Sequence, residues 1–134
     1  MIQLLFVFSD IAFTILRVAL GAVLLAHGMP KLKDLKKTAE NFEMMGFRPG
    51  KFWGTFVALV EVLIGLFFIL GFFTQIAAVV VAVEFIVILI SVKKFKKFTG
   101  GYELDLLILA GALVLLTVGG GAWSLDSVLK IILY

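Results

Sequence analysis

The chain is 134 residues long, 63% hydrophobic and only 16% charged, with a formal net charge of +3. A soluble domain is about 45–50% apolar and about 25% charged, and one core of this length cannot bury so large an apolar excess. The chain has no cysteine, which excludes thiol–disulfide relays, iron–sulfur clusters and cysteine–zinc sites. Its small positive charge is not evidence for a nucleic-acid partner.

Four apolar stretches have the length of membrane spans, at about 9–27, 52–70, 76–92 and 102–118. A spanning helix needs about 20 mostly apolar residues. The pattern predicts an all-α fold, a polytopic membrane protein with a four-transmembrane-helix bundle, and a single membrane domain over 1–134. The first stretch contains charged residues and no small-residue cleavage site, so we expect a retained helix rather than a secretory signal.

The first span is expected to end at Gly28-Met29-Pro30, because proline lacks an N–H and restricts the residue before it. A short interfacial helix over 35–45 is expected to follow. At the other end of the chain, Ser124 is the expected N-cap of a short amphipathic helix at about 124–133, with Asp126 in its first turn. We expect that helix to lie on the membrane surface.

Basic residues concentrate in two loops, 28–51 and 93–101. The positive-inside rule places both loops in the cytoplasm and both termini outside, in a multi-pass protein of the plasma membrane. Anionic lipid headgroups are expected to attract the same lysines. The lipid bilayer is therefore the first predicted partner, and a homo-oligomer is left open.

Three charged residues lie near the middle of the spans: Arg17 in the first, Glu61 in the second and Glu84 in the third. A charge at bilayer depth costs about 2.5–3.5 kcal/mol on insertion scales. Their depths overlap at about 1.5 Å of rise per residue, which predicts an Arg17–Glu84–Glu61 network in which one acid keeps its proton. Such an acid suits proton exchange. The alternative is a buried ion pair that only locks helix register.

Small residues share one face of each of the first two spans. Arg17, Gly21 and Gly28 lie on one face of span one, and Glu61 and Gly65 on one face of span two. Such faces let membrane helices approach closely. We therefore expect spans one and two to be in contact.

A second polar group is expected at the cytoplasmic edge, where His27 ends span one and Glu103 and Asp105 begin span four. Lys31 follows His27 by one turn. The group allows three readings: a divalent-metal site, a point where protons enter, or salt bridges that anchor helix ends. Haem is disfavoured, because a single histidine leaves Met29 as the second axial candidate. No metal site is assigned and no covalent cofactor is expected.

Together these elements resemble the DoxX family of small four-helix membrane proteins. The resemblance runs from Arg17 to Asp126. The residues that carry it are Arg17, Gly21, Gly28 and Lys31; Glu61, Gly65 and Gly71; Gly101 and Glu103; and Gly121, Ser124 and Asp126. Glu84 lies outside that pattern, which leaves open its share in any common mechanism.

The resemblance implies a membrane protein that serves a redox process, related to the membrane subunits of thiosulfate:quinone oxidoreductases. Such a protein either holds a quinone or anchors a partner oxidoreductase, and whether it is itself an enzyme is left open. In the quinone version Arg17 donates a hydrogen bond to a quinone carbonyl, and Glu61 or Glu84 carries the proton. His27 and Glu103 connect the site to the cytoplasm, and the lipid tail lies against Phe67, Phe68 and Phe72.

Two other functions remain open. A small proton-coupled transporter also combines four short spans with a membrane glutamate, but Arg17 is expected to repel a cationic substrate and neutralise the acid. A non-catalytic assembly or scaffold subunit would tolerate Glu61→Gln in any ligand assay. Proton release driven by a cation separates the first of these functions from the others.

Overall fold

The computed structural model of the protein describes residues 4–130, which form helices and turns without a strand. A 3-10 turn over Leu4–Phe8 leads into the helices α1 (Ser9–Lys33), α2 (Leu35–Met44), α3 (Gly50–Leu70), α4 (Thr74–Val87), α5 (Glu103–Val118) and α6 (Leu125–Leu129). A π-helix over Ile88–Lys93 continues α4, and a distorted π-type turn over Phe98–Tyr102 precedes α5.

Four helical stretches are long and apolar enough to cross a membrane: Leu4–Lys33, Gly50–Leu70, Thr74–Lys93 and Phe98–Val118. Each predicted span lies within one of them. The all-α, polytopic four-helix fold predicted from the sequence is therefore confirmed. We call the end of the bundle that carries loops 28–51 and 93–101 the basic end, and the opposite end the Arg17 end.

The first span does not end at Gly28-Met29-Pro30, and that prediction is wrong. Helix α1 continues to Lys33 with Pro30 in its last turn. A proline there removes a single helical hydrogen bond, and the N–H of Asp34 donates to the carbonyl of Pro30 at 3.3 Å to close the turn. The extra turn places Lys31 three residues beyond Gly28, on the same helix face.

Helices α1 and α3 run antiparallel with their backbones in contact. A Cβ atom added at Gly21 would lie 2.6 Å from the carbonyl oxygen of Gly65, and one added at Gly65 would lie 2.9 Å from the carbonyl oxygen of Gly21. Only glycine permits this approach. In the same register Gly28 faces Glu61, whose Cβ would lie 2.9 Å from a Cβ at Gly28.

The apolar core joins all four spans. Its fully buried members come from α1, α3, α4 and α5, and include Leu24, Phe68, Ala78, Val81, Ile108 and Leu115. Alanines on α4 and α5 let these two helices pack closely beside the larger groups. The outer faces of the spans carry exposed leucine, valine and isoleucine, as expected for helices solvated by lipid.

The last helix is shorter than predicted. Ser124 caps α6 as expected, accepting from the N–H of Ser127 at 3.2 Å, but the helix ends at Leu129 because Lys130 has a φ of +57°. The rest of the predicted helix, from 131 to 133, lies outside the described residues. Asp126 is buried, so the start of α6 is docked on the bundle rather than lying free on the membrane surface.

Candidate functional site

Arg17 is buried at the Arg17 end of the bundle, with 1% of its surface exposed. Its Nη1 donates to the carbonyl oxygens of Phe68 at 2.7 Å and Ile69 at 3.1 Å, and its Nη2 donates to the carbonyl oxygen of Trp123 at 2.9 Å. The last carbonyls of α3 have no donor within their own helix. The planar guanidinium supplies several N–H groups in one fork, so Arg17 caps α3 and ties the C-terminal segment to it.

The predicted Arg17–Glu84–Glu61 network is therefore wrong. Within the described residues Arg17 is in no ion pair with either glutamate, and it does not line the cavity described below. Backbone carbonyls satisfy the guanidinium instead. No residue pattern identifies this partner, because carbonyl oxygens are present at every residue.

Gly71 makes room for this contact. It ends α3 in the left-handed conformation, with a φ of +70°, which favours glycine. An added Cβ would lie 2.5 Å from Nη1 of Arg17 and 2.4 Å from Cβ of Ser124. The arginine and the C-terminal segment thus meet over a glycine that has no side chain to separate them.

Asp126 caps α4 from across the bundle. Its Oδ1 accepts from the N–H of Phe73 at 2.6 Å and its Oδ2 from the N–H of Thr74 at 2.8 Å, while its own N–H donates to the carbonyl of Gly71 at 2.9 Å. A carboxylate at a helix N-terminus is favourable. The negative charge of Asp126 also attracts the guanidinium of Arg17 electrostatically. The two residues therefore form a charge-balanced structural cluster at the Arg17 end.

Replacing Asp126 by asparagine is expected to lower the free energy of unfolding in detergent by about 1–3 kcal/mol, because a buried N–H loses a charged acceptor. Denaturant or thermal unfolding measures this. Asp10→Asn is the matched control, since Asp10 is exposed and accepts only a 3.4 Å bond from Ala122; its effect should stay within about 0.5 kcal/mol. Equal losses in the two variants would contradict the capping role.

Lys31 supplies the positive charge that pairs with Glu61. Its Nζ lies 2.7 Å and 2.9 Å from the two carboxylate oxygens. The glutamate is 2% exposed and the lysine side chain 30%. Side chains on a helix tilt toward its N-terminus, so a lysine in the last turn of α1 reaches back into the bundle. The sequence contained a signal for this pair. Packing the small-residue faces of the first two spans together places Gly28 against Glu61, and Lys31 lies on the same helix face three residues after Gly28.

Glu84 lies near the middle of the third span, ten residues after Thr74 and nine before Lys93. Both of its carboxyl oxygens are buried, and neither accepts from a donor among residues 4–130, but the carboxyl group lies within hydrogen-bonding reach of the Glu61 carboxylate. Its electrostatic neighbours are the Glu61 carboxylate and the Lys31 ammonium. Two carboxyl groups thus share one ammonium, which is already bonded to both oxygens of Glu61.

These three side chains line a cavity of about 1200 Å³ between α3 and α4. Its walls are mostly apolar, with Phe56, Val57 and Val60 from α3 and Val80, Val83 and Val87 from α4. Several of these residues are also exposed on the outside of the bundle. The cavity therefore opens sideways, where lipid surrounds the spans, and reaches the charged groups at its inner wall.

The second predicted group does not form. The Nδ1 of His27 lies 2.8 Å from the carbonyl of Val23, Glu103 accepts from the N–H of Gly100 at 2.9 Å, and Asp105 lies 3.7 Å from Nζ of Lys93. Among residues 4–130 no three His, Cys, Asp or Glu side chains are placed to hold a metal ion. His27 and Asp105 line the cavity, whereas Glu103 does not. The acids at this end serve as a helix cap and an ion-pair partner.

The phenylalanines predicted to contact a lipid tail lie away from this cavity. Phe68 is fully buried in the core, and Phe67 packs edge-on against Phe72 with ring centroids 5.4 Å apart. None of the three lines the cavity. Aromatic side chains do reach the cavity, but they come from the basic end, at Phe47, Trp53 and Phe56.

Comparison with known proteins agrees with this architecture. The family model named DoxX matches residues 12–94. The chain is 29% identical over 117 residues to "Putative oxidoreductase CatD" of Bacillus subtilis (strain 168), covering 87% of this chain and 86% of that protein. It is 27% identical over 125 residues to "Uncharacterized membrane protein Rv3486" of Mycobacterium tuberculosis (strain ATCC 25618 / H37Rv), covering 83% and 77%. No solved structure matches the chain.

Proposed function

The chain belongs to the DoxX family of membrane proteins, and we propose that it serves a redox process in the plasma membrane by holding a quinone in the cavity between α3 and α4. The observation that carries the proposal is the position of Lys31, Glu61 and Glu84 at the inner wall of an apolar cavity that opens toward lipid. One relative carries the name of a putative oxidoreductase, which supports the redox context.

The polar groups suit a quinone headgroup, which is planar and carries carbonyl oxygens. The ammonium of Lys31 has three N–H donors, of which two are directed to Glu61, so one is left for a ligand oxygen. Glu84 supplies a carboxyl group that accepts from no donor among residues 4–130, and in its protonated form it donates to a second ligand oxygen in place of the Glu61 carboxylate. A buried carboxylic acid is suited to holding and passing a proton.

The walls suit the rest of such a ligand. Binding pockets for small molecules are mostly apolar with a few placed polar groups, and the valines of α4 with the aromatic groups of α3 provide that lining. An isoprenoid tail would leave between the two helices into the bilayer. Arg17 takes no part, because its N–H groups are directed to backbone carbonyls at the other end.

The test is bound quinone. The protein is extracted in native nanodiscs, and its lipids are analysed by mass spectrometry. Val80→Phe fills the cavity from α4 and should lower quinone occupancy at least about tenfold, that is by about 1.4 kcal/mol of binding. Val114→Phe is the matched control, because Val114 has nearly the same exposure, 39% against 37%, but does not line the cavity.

Glu84→Leu should also lower quinone occupancy, because leucine has no donor for the quinone oxygen, while Glu103→Leu, at a residue outside the cavity, should leave occupancy unchanged. Trace quinone at the same level in all variants would overturn the quinone role. It would favour the other redox role, a membrane anchor for a partner oxidoreductase. Co-purification of that enzyme, lost when the basic loops are changed, would then identify the function.

A further inference from the structure

Glu84 is the acid in the cavity that the described residues leave without a donor or a cation of its own. The Lys31 ammonium is bonded to both oxygens of Glu61, and Lys93 lies against Asp105. Both oxygens of Glu84 are buried and accept from no donor among residues 4–130, and the neighbouring carboxyl group of Glu61 can share only a proton that Glu84 itself carries. A buried ionised carboxylate needs a positive partner. The two lysines on the lining are already paired, and the arginine there, Arg48, is exposed in the loop at the basic end.

The charged groups around the cavity come from every element packed on it. They are His27 and Lys31 on α1, Arg48 on the loop before α3, Glu61 on α3, Lys93 after α4 and Asp105 on α5. Arg48 is exposed in the loop at the basic end. The Lys31–Glu61 and Lys93–Asp105 pairs each have no net charge. The charge of Glu84 is therefore neutralised only when the carboxyl group carries a proton or pairs with an added cation.

The walls are suited to a bulky organic cation. Phe47, Trp53 and Phe56 line the cavity, and aromatic faces attract cations through their quadrupoles. The thioethers of Met44 and Met45, also on the lining, are polarisable and adapt to irregular ligands. The volume of about 1200 Å³ is ample for a drug-sized molecule. The objection from the sequence, that Arg17 would repel a cation, no longer holds, because Arg17 lies outside the cavity.

We propose that Glu84 exchanges its proton for a lipophilic organic cation, an aromatic phosphonium or quaternary ammonium ion, that enters the cavity from the bilayer. The O–H bond of the carboxylic acid breaks, the proton leaves to water at the basic end, and the carboxylate pairs with the cation. No electron is transferred and the net charge of the site is unchanged. This activity goes beyond the proposed quinone role and does not depend on it.

The experiment measures binding and proton release together. Purified protein in weakly buffered detergent is titrated with tetraphenylphosphonium while a pH indicator reports released protons and equilibrium dialysis reports bound ligand. One proton per bound cation is expected. Tetraphenylborate, which has nearly the same size and shape but the opposite charge, should release none. Raising the pH should strengthen the binding of the cation while Glu84 is protonated in the empty site.

Two pairs of variants assign the effect. Glu84→Gln should abolish proton release and weaken tetraphenylphosphonium binding at least tenfold, while Glu103→Gln should behave as the wild type. Val80→Phe, which keeps Glu84 but fills the cavity, should weaken binding, and Val114→Phe should not. Proton release that survives in Glu84→Gln, or equal binding of the cation and the borate, would overturn the proposal. Cation exchange in protein that lacks quinone would support it and count against the quinone role alone.

Discussion

Replacing Arg17 by methionine is expected to lower the free energy of unfolding by about 3–5 kcal/mol, the usual cost of removing one partner from a buried charged cluster. The carbonyls of Phe68, Ile69 and Trp123 would lose the guanidinium as donor, with a 3.3 Å bond from the N–H of Gly71 remaining to Phe68. The buried charge of Asp126 would lose the positive charge near it. Methionine fills most of the volume, so the loss comes from polar groups rather than from a cavity. Unfolding in detergent and the yield of folded protein from membranes both measure it.

Two further variants separate geometry from charge. Arg17→Lys keeps the positive charge but not the planar fork that reaches several carbonyls, so we expect an intermediate loss. Arg48→Met changes the exposed arginine at the basic end and should stay within about 0.5 kcal/mol of the wild type. A wild-type stability for Arg17→Met would show that the carbonyl contacts contribute little. In that case the residue would need a functional explanation after all.

Replacing Gly21 by leucine is expected to cost about 3 kcal/mol or more, at the upper end of the range for overpacking. The first added carbon would already lie 2.6 Å from the carbonyl oxygen of Gly65 and 2.8 Å from Cγ1 of Ile69. The backbone of α3 cannot relieve this clash by a rotamer change, as a side chain could, so α1 and α3 must separate. That movement also displaces Lys31 from Glu61, which makes weaker ligand binding a second expected result.

The matched control is Gly101→Leu. A Cβ at Gly101 would meet only Lys97, with its Cβ at 3.0 Å. Lys97 is exposed in a turn outside the bundle, so a shift of a few tenths of an ångström in that turn relieves the contact without separating the helices. We expect a change within about 0.5 kcal/mol. Equal destabilisation of the two variants would mean that the glycine contact between α1 and α3 is not the closest point of the bundle.

Much of the fold was predictable, because a long apolar segment in a lipid bilayer is restricted to helical structure. Backbone groups inside a bilayer must be satisfied within each segment, which leaves helices as the form of a long apolar stretch. The spans therefore followed from hydropathy alone. Pro30 misled the prediction because the rule for proline depends on position: in the last turn of α1 it removes one bond, and the helix continues.

The candidate site was harder to predict, because charge alone does not reveal a partner. Arg17 was assigned to the acids by depth, yet carbonyls at the end of α3 are equally good acceptors and leave no trace in the sequence. Glu61 is buried as expected. Its partner Lys31 is predicted instead in the polar group at the cytoplasmic edge, because the first span is expected to end at Gly28-Met29-Pro30. Glu84 was identified from its position in the span, whereas the cavity it faces depends on how far α3 and α4 separate.

The bond from Arg17 to Trp123 joins residues 106 positions apart. During synthesis, α1 enters the membrane before Trp123 and Asp126 have been made. Until then the guanidinium of Arg17 lacks these partners, and placing it in the bilayer costs about 2.5–3.5 kcal/mol on insertion scales. The last segment of the chain repays that cost only when it emerges and folds back over Gly71. The position of α1 is therefore stabilised by these contacts only after Trp123 and Asp126 have been synthesised.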